Sequence, residues 1–182
     1  ALNITGEVIT TPFSFIATTS SILWENCKPV FADIHSGTLN IDPEKILKKI
    51  TRKTTAIMAV HVYGNPCNVN LINKIAREHK LNVIYDASHA IGINYKGKPL
   101  FAYGDISTTS FHATKIINTA EGGAVFTNNS KAGKQLELKR NFGYRNYVVR
   151  SLGINAKMSE LNAALGYTSI KYLAANLKRR KA

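Results

Sequence analysis

The chain has 182 residues, of which 45% are hydrophobic and 19% are charged. This composition argues against a disordered or fibrous chain, and the length suits one domain with a sizeable core. No apolar run approaches the ~20 residues of a membrane-spanning helix, and we expect no signal peptide. Because Cys27 and Cys67 lie far apart without a metal-like spacing, we expect free thiols in a reducing, cytoplasmic compartment.

The formal net charge is +13, and most of it lies toward the C-terminus. Residues 131–182 carry 12 Lys and Arg against 2 Asp and Glu, whereas residues 1–130 carry 12 against 9. A basic surface of this kind favours anionic partners such as phosphates, nucleotides or nucleic acid. Two alternatives stay open at this point: a solvated basic face, and a surface that packs against an acidic piece outside these residues.

Short β-branched runs alternate along the chain with stretches of helical periodicity. This alternation is typical of βαβ units, so we predict an α/β fold with a mainly parallel sheet flanked by helices. The predicted strands are 7–11, 29–32, 56–62, 81–85, 106–111 and 123–127. The predicted helices are 14–25, 43–52, 69–80, 131–141 and one that begins near Ser159 and runs past Leu173.

Two helix starts carry clear sequence signals. Asp42 precedes a proline at the first helical position and a glutamate in the first turn, which is a typical N-terminal pattern. Asn70 is expected to cap the third helix, in which the apolar positions 71, 72, 75 and 76 form one face.

Polar segments follow three of the predicted strands, where a parallel sheet is expected to bind its ligand. They are 61–65, 85–89 and 110–115. Lys115 ends the last of these segments, and a desolvated lysine amine in such a cleft is a nucleophile for aldehydes. The alternative is an exposed loop lysine, and Lys115 by itself does not decide between the two.

The neighbouring segments supply further candidate residues. Asp86 ends a hydrophobic strand and could hold the proton on a heteroaromatic nitrogen, which turns a pyridine ring into an electron sink, or it could simply form a turn. His89 would lie near the same ring, or it could be a partly buried histidine that forms its hydrogen bonds with the backbone. Ser110 could bind a phosphate, or be an ordinary strand-end serine. The Gly122-Gly123 pair permits a tight turn and a close backbone approach.

The sequence lacks the common motifs for other chemistries. It has no glycine-rich dinucleotide or P-loop signature and no serine-hydrolase elbow. His61, His89 and His112 show no recognised metal-ligand spacing, so we expect no metal site.

Taken together, these segments resemble the nucleotide-sugar aminotransferases, also called the DegT/DnrJ/EryC1/StrS group, which are pyridoxal 5′-phosphate (PLP) enzymes of fold type I. The matching segments follow the family's order over nearly the whole chain. They are 11–18, 28–33, 61–64, 86–90, 104–115, 121–123 and 153–160. The resemblance implies that residues 1–182 are the central part of the PLP-binding large domain, without the family's N-terminal segment and C-terminal small domain.

The resemblance implies roles for six residues around the cofactor. Lys115 would bind the PLP aldehyde covalently and then act as acid and base in a 1,3-proton shift. Asp86 would pair with the pyridine nitrogen, and His89 would lie near the 3-hydroxyl group. The other three would hold the ring and the phosphate: Phe15 by stacking, Ser110 by hydrogen bonding, and Asn155 from a neighbouring subunit.

The reaction implied by the resemblance moves an amino group from an amino acid, expected to be L-glutamate, to a nucleotide-linked keto-deoxysugar. The segments around Asp86, Lys115 and Asn141 are most similar to enzymes that act on dTDP-4-keto-6-deoxyglucose in deoxyaminosugar and O-antigen (lipopolysaccharide) biosynthesis. A dehydratase branch of the family carries histidine in place of the lysine, so Lys115 argues against that branch.

The resemblance also implies a homodimer, and we expect no membrane partner and no nucleic acid. Two alternatives to an active enzyme follow from the sequence. One is a non-catalytic partner that assembles with a complete enzyme, and the other is a polyanion-binding module that uses the basic residues of 131–182.

Overall fold

A six-stranded sheet forms the centre of the molecule, which a computed structural model describes over residues 1–181. The sheet order is β2-β1-β3-β4-β7-β8, in which the first five strands are parallel and β8 is antiparallel to β7. Two short hairpins, β5–β6 and β9–β10, lie outside this sheet. The strands are β1 (Glu7–Thr10), β2 (Lys28–Phe31), β3 (Thr54–Val60), β4 (Asn82–Asp86), β5 (Asn94–Tyr95), β6 (Lys98–Pro99), β7 (Ile106–Ser110), β8 (Gly123–Phe126), β9 (Tyr144–Arg145) and β10 (Val148–Val149).

In the described part of the chain, six α-helices accompany the strands, and four of them begin at a side-chain cap. They are α1 (Ile16–Trp24), α2 (Pro43–Leu47), α3 (Val69–His79), α4 (Ser130–Lys139), α5 (Glu160–Lys171) and α6 (Leu173–Lys181). The caps are Asp42, Asn68, Asn129 and Ser159, each of which accepts a hydrogen bond from a backbone N–H of the first turn. Among residues 1–181, no helix combines the length and apolarity that crossing a membrane requires.

Alternate residues of the strands pack on opposite faces of the sheet. Ile9 and Ile57 belong to a core that includes Ile72 of α3, whereas Val8 belongs to a second core that includes Ile22 of α1. Helices therefore cover both faces of the sheet, which keeps the apolar side chains of the short strands out of water. The prediction of a mainly parallel sheet flanked by helices is confirmed.

All six predicted strands are present, with ends that differ from the predictions by at most two residues. Three details of the helices are wrong. The helix predicted to run from near Ser159 past Leu173 is interrupted at Tyr172, which separates α5 from α6. Helix α2 ends at Leu47 rather than residue 52, because Lys49 and Ile50 bond to carbonyls three residues back, which closes the helix with tight turns. The cap of α3 is Asn68 rather than Asn70, because the helix already begins at Val69.

The parallel arrangement brings the polar strand ends together at one edge of the sheet. In the register of the central strands, Val60 of β3 pairs with Asp86 of β4, and Asp86 pairs with Thr108 of β7. The segments that follow β3, β4 and β7 therefore leave the sheet side by side. They include His61, His89 and Lys115, which were singled out in the sequence.

Candidate active site at the carboxyl ends of the strands

Asp86 is held in a fixed orientation at the end of β4. Its Oδ2 atom accepts a hydrogen bond from Thr18 Oγ1 at 2.7 Å, which ties the strand to α1. Its Oδ1 atom accepts from the Ser88 backbone N–H at 3.1 Å and from Ser88 Oγ at 2.6 Å. Three donors, one in α1 and two in the turn after β4, restrict the rotation of this carboxylate. A carboxylate that binds a defined ligand atom needs such a fixed orientation.

Lys115 lies in the turn that follows β7. Within this turn the His112 N–H donates to Ser110 Oγ at 3.2 Å, and the Lys115 N–H donates to the His112 carbonyl at 2.9 Å. The half-buried Lys115 side chain reaches across to the end of β4, where its Nζ atom lies 2.9 Å from His89 Nε2. The lysine side chain therefore lies against the end of β4 and contacts His89, whereas an exposed loop lysine would extend into solvent.

His89 joins the lysine and the carboxylate into one electrostatic group. Partial burial is the largest influence and lowers the pKa of the imidazole, and the positive charge of Lys115 lowers it further. The negative charge of Asp86 acts in the opposite direction. A neutral imidazole whose Nε2 accepts from the Lys115 ammonium is consistent with these directions. Lys115 and Asp86 thus act on the same small side chain from two strands.

The structure places two further predicted residues next to this group. Phe15 caps the N-terminus of α1, and its carbonyl accepts from the backbone N–H of Thr18, whose hydroxyl holds Asp86. Phe15 is 79% exposed as a residue and is therefore accessible to a ligand. Ser110 is the last residue of β7 and begins the turn that carries Lys115.

Asn155 lies in a different part of the chain, on an exposed segment that runs along the end of α4. It pairs with Asn141, and the next residue, Ala156, donates to the Arg140 carbonyl at 2.9 Å. Within the described residues, no hydrogen bond joins Asn155 to the other five predicted site residues. Its predicted role depends on a second copy of the chain and stays a prediction.

The sequence reasoning missed residues that support the site. Thr18 and Ser88 hold Asp86, although neither was singled out as a site residue. Ser88 follows the aspartate by two residues, a spacing at which an aspartate commonly bonds back to the chain, so it could have been found. Thr18 is 68 positions away from Asp86, and only the fold brings the two together.

The Gly122-Gly123 pair allows the close approach that the sequence suggested. A Cβ atom on Gly123 would lie 2.7 Å from the Thr109 carbonyl oxygen, so only glycine lets β8 pack this closely against β7. In the part of the chain that the structure describes, no three His, Cys, Asp or Glu side chains are grouped as a metal site requires.

A model of the DegT/DnrJ/EryC1/StrS aminotransferase family matches residues 1–182. The chain belongs to the DegT/DnrJ/EryC1/StrS aminotransferase family. The resemblance found in the sequence is thereby confirmed. Enzymes of this family use PLP, so the predicted cofactor is confirmed at the level of the family.

Individual members of the family are similar over the whole chain. A dTDP-4-amino-4,6-dideoxy-D-glucose transaminase from Shigella dysenteriae is 46% identical over 99% of this chain and 49% of the relative. A transaminase of the same name from Escherichia coli is 45% identical over 100% of the chain and 49% of the relative. The chain spans about half the length of the curated relatives it matches.

Solved structures of family members share the fold. The crystal structure of DesI, determined in the presence of its TDP-sugar product, superimposes with a TM-score of 0.90 at 40% identity, covering 95% of this chain and 44% of DesI. PseC from Helicobacter pylori, an aminotransferase of pseudaminic acid biosynthesis, gives a TM-score of 0.87 at 38% identity, covering 92% of this chain and 46% of PseC. The predicted fold type I architecture is confirmed by these matches.

Proposed function

We propose that this chain carries the catalytic centre of a PLP-dependent sugar aminotransferase. The observation that carries the proposal is the grouping of Lys115, His89 and Asp86 at the carboxyl ends of β4 and β7. An amine and a fixed carboxylate lie at the same edge of the sheet. A pyridoxal ring requires an amine at its aldehyde and a carboxylate at its ring nitrogen.

The side chains at this edge of the sheet fit the chemical groups of this cofactor. The Lys115 amine suits its aldehyde, the Asp86 carboxylate suits its ring nitrogen, and the His89 imidazole suits its 3-hydroxyl group. Ser110 and the Phe15 ring offer a hydroxyl donor and an apolar face at the same edge of the sheet. We propose that Asn155 reaches the phosphate from a second subunit, so that the homodimer is the functional unit.

When bound, PLP supplies an electron sink for the carbanion that forms at the Cα atom of the amino donor. The side chains of this chain orient the reacting groups and transfer protons. Asp86, held by Thr18 and Ser88, keeps the proton on the ring nitrogen, without which the sink is weak. Lys115 Nζ removes the proton from Cα and returns a proton on the same face, which is general base and acid catalysis by one amine. His89 fixes where that amine rests between the two transfers.

The proposed substrates are an amino acid donor, expected to be L-glutamate, and dTDP-4-keto-6-deoxyglucose. Support comes from the Shigella relative, whose name describes transamination that involves dTDP-4-amino-4,6-dideoxy-D-glucose. DesI, which was crystallised with a TDP-sugar product, also supports a nucleotide-linked sugar. The basic residues of 131–182 are suited to the diphosphate of such a substrate.

Two further proposals concern the part of the family's domain that the chain represents and its location in the cell. Since it spans about half of its relatives, we propose that residues 1–182 correspond to the central part of the family's large domain. We propose a cytoplasmic location, supported by two buried cysteines that are both free thiols.

Absorbance spectroscopy with PLP tests the proposed function. The purified chain mixed with PLP should develop a band near the visible edge that borohydride removes, and mass spectrometry should then locate the reduced adduct on Lys115. Lys115→Ala should abolish the adduct. Lys131→Ala, at an exposed lysine of α4, is the matched control and should retain it. The absence of an adduct in the wild-type chain, or an adduct that persists in Lys115→Ala, would refute the proposed role of this lysine.

A further inference from the structure

Tyr63 occupies an uncommon backbone conformation beside the candidate active site. It lies in a short 3-10 turn, Val62–Gly64, between β3 and α3, with φ 53° and ψ 22°. This left-handed region is unfavourable for a residue with a bulky side chain. Tyr63 is nevertheless 76% exposed as a residue, so burial does not account for the conformation. Another contact is needed to explain where the ring is placed.

The backbone around Tyr63 is fixed against the segment that carries His89. The Gly64 N–H donates to the His61 carbonyl at 3.0 Å, and the Asn65 N–H donates to the Val62 carbonyl at 2.9 Å. Gly64 itself has φ +82°, and a Cβ atom there would lie 2.7 Å from the His89 carbonyl oxygen. The turn therefore lies in direct contact with the backbone of His89.

The placement brings the Tyr63 ring onto the imidazole of His89. The two ring centroids are 6.2 Å apart and the ring planes differ by 12°, which is an offset stacked arrangement. At its other end the imidazole meets Lys115, with 2.9 Å between Nε2 and Nζ. His89 is thus held from two sides, by an aromatic ring and by the amine that the proposed reaction uses.

We propose that Tyr63 is a positioning residue that fixes the ring plane of His89, so that Nε2 faces Lys115. The inference rests on the proposed function, because the value of this orientation lies in where it holds the lysine amine. An exposed histidine without the stack has other staggered rotamers available, and in most of them Nε2 no longer points at Lys115. The phenol hydroxyl has no part in this role, whereas the ring does.

The environment of His89 gives the proposal a readout that does not depend on catalysis. The titratable groups that face the imidazole are Lys115 from the turn after β7, Asp86 from β4 and Tyr63 from the turn after β3. Burial is the largest of the influences that lower the His89 pKa. Loss of the Tyr63 ring admits water to one side of the imidazole, so the pKa should move upward toward its ordinary value.

Tyr63→Asn is the decisive variant, because asparagine tolerates the left-handed backbone and removes the ring. Tyr63→Phe keeps the ring and removes only the hydroxyl. Tyr147→Asn is the matched control, since Tyr147 is also left-handed (φ 63°), is 91% exposed and lies on the β9–β10 hairpin. Each variant is made in the full chain and checked for wild-type secondary structure by circular dichroism.

The His89 resonances are followed by NMR through a pH titration without added cofactor. We expect Tyr63→Asn to raise the His89 pKa and to average its side-chain couplings over several rotamers, whereas Tyr63→Phe and Tyr147→Asn match the wild type. In a parallel titration, Tyr63→Asn should weaken PLP binding about three- to tenfold, because binding must then also order the His89 ring, at a cost of about one stacked pair. Unchanged His89 titration and couplings in Tyr63→Asn would overturn the positioning role.

The outcome is separable from that of the proposed function. If wild-type protein forms no adduct with PLP, the aminotransferase proposal fails, while the NMR comparison still decides whether Tyr63 orients His89. If the adduct forms and the NMR comparison shows no difference, the function stands and Tyr63 has no positioning role.

Discussion

Lowering the pH from 7 to 5 should destabilise the folded chain through one buried histidine, His61. The side chain is fully buried, its Nδ1 atom accepts the Cys67 N–H at 3.1 Å, and its ring stacks on Tyr85 with centroids 4.5 Å apart. Burial lowers the His61 pKa from 6.5 to about 4, despite an opposing influence of Asp86. The folded chain therefore keeps His61 neutral at a pH where the unfolded chain protonates it.

The size of the effect follows from the two pKa values. As the pH falls through 6.5, the unfolded state takes up a proton that the folded state does not, so the free energy of unfolding decreases. Between pH 7 and pH 5 the loss is about 2 kcal/mol, and it levels off near pH 4 at about 3 kcal/mol in total. This is a large share of the ~5–15 kcal/mol that stabilises a typical domain.

Urea unfolding followed by far-ultraviolet circular dichroism at pH 7 and pH 5 measures this loss. The probe is preferable to tryptophan fluorescence, because Trp24 is largely exposed in the folded chain. His61→Asn supplies the comparison, since its side-chain oxygen can still accept the Cys67 N–H and it does not titrate. The wild type should lose about 2 kcal/mol more than His61→Asn between the two pH values.

A second variant shows whether removal of any histidine changes the pH dependence of stability. His79→Asn is this variant, because it removes a histidine at the exposed end of α3 and leaves the core unchanged. If wild type and His61→Asn lose the same free energy on acidification, then His61 is protonated in the folded chain and the burial argument is wrong.

Two further predictions test contacts around the site, and a third tests a helix cap. Thr18→Val removes the hydrogen bond to Asp86 Oδ2 and should weaken PLP binding roughly tenfold, as measured by absorbance titration, because bonds to charged groups contribute about 1.5–3 kcal/mol. Gly64→Ala should cost roughly 2 kcal/mol or more of stability in urea unfolding, because its Cβ would meet the His89 carbonyl and its φ is left-handed. Ser159→Ala should lower the free energy of unfolding by about 1 kcal/mol, because α5 loses its N-cap.

Each of these predictions has a control in the same chain. Thr168→Val removes a hydroxyl that bonds within α5 and should leave PLP binding unchanged. Gly97→Ala has a similar left-handed φ but open space around its Cβ, so it isolates the backbone cost from the collision at Gly64. Ser159→Thr retains the cap oxygen and should keep wild-type stability. Equal losses in Gly64→Ala and Gly97→Ala would contradict the predicted collision with His89.

Local patterns were sufficient to predict the elements of the central sheet. Short β-branched runs such as 56–62 and 106–111 are typical of inner strands, whose two faces are both buried. Such a run is recognised from a few consecutive residues, so these strands could be predicted. The cap at Asp42 and the helix start near Ser159 were predicted for the same reason, since the signals of a helix start act within one helical turn. The β5–β6 and β9–β10 hairpins were missed, because two-residue strands carry too little pattern to be recognised.

The sequence by itself determined which side chains could serve the site: Asp86 had to end a buried strand and Lys115 had to follow another. Only the tertiary structure decided that the two meet at His89, because the meeting depends on β4 and β7 being neighbours in register. It also decided that Thr18, 68 positions earlier, holds the carboxylate. Strand order and register are set by packing over the whole sheet, and no local pattern encodes them.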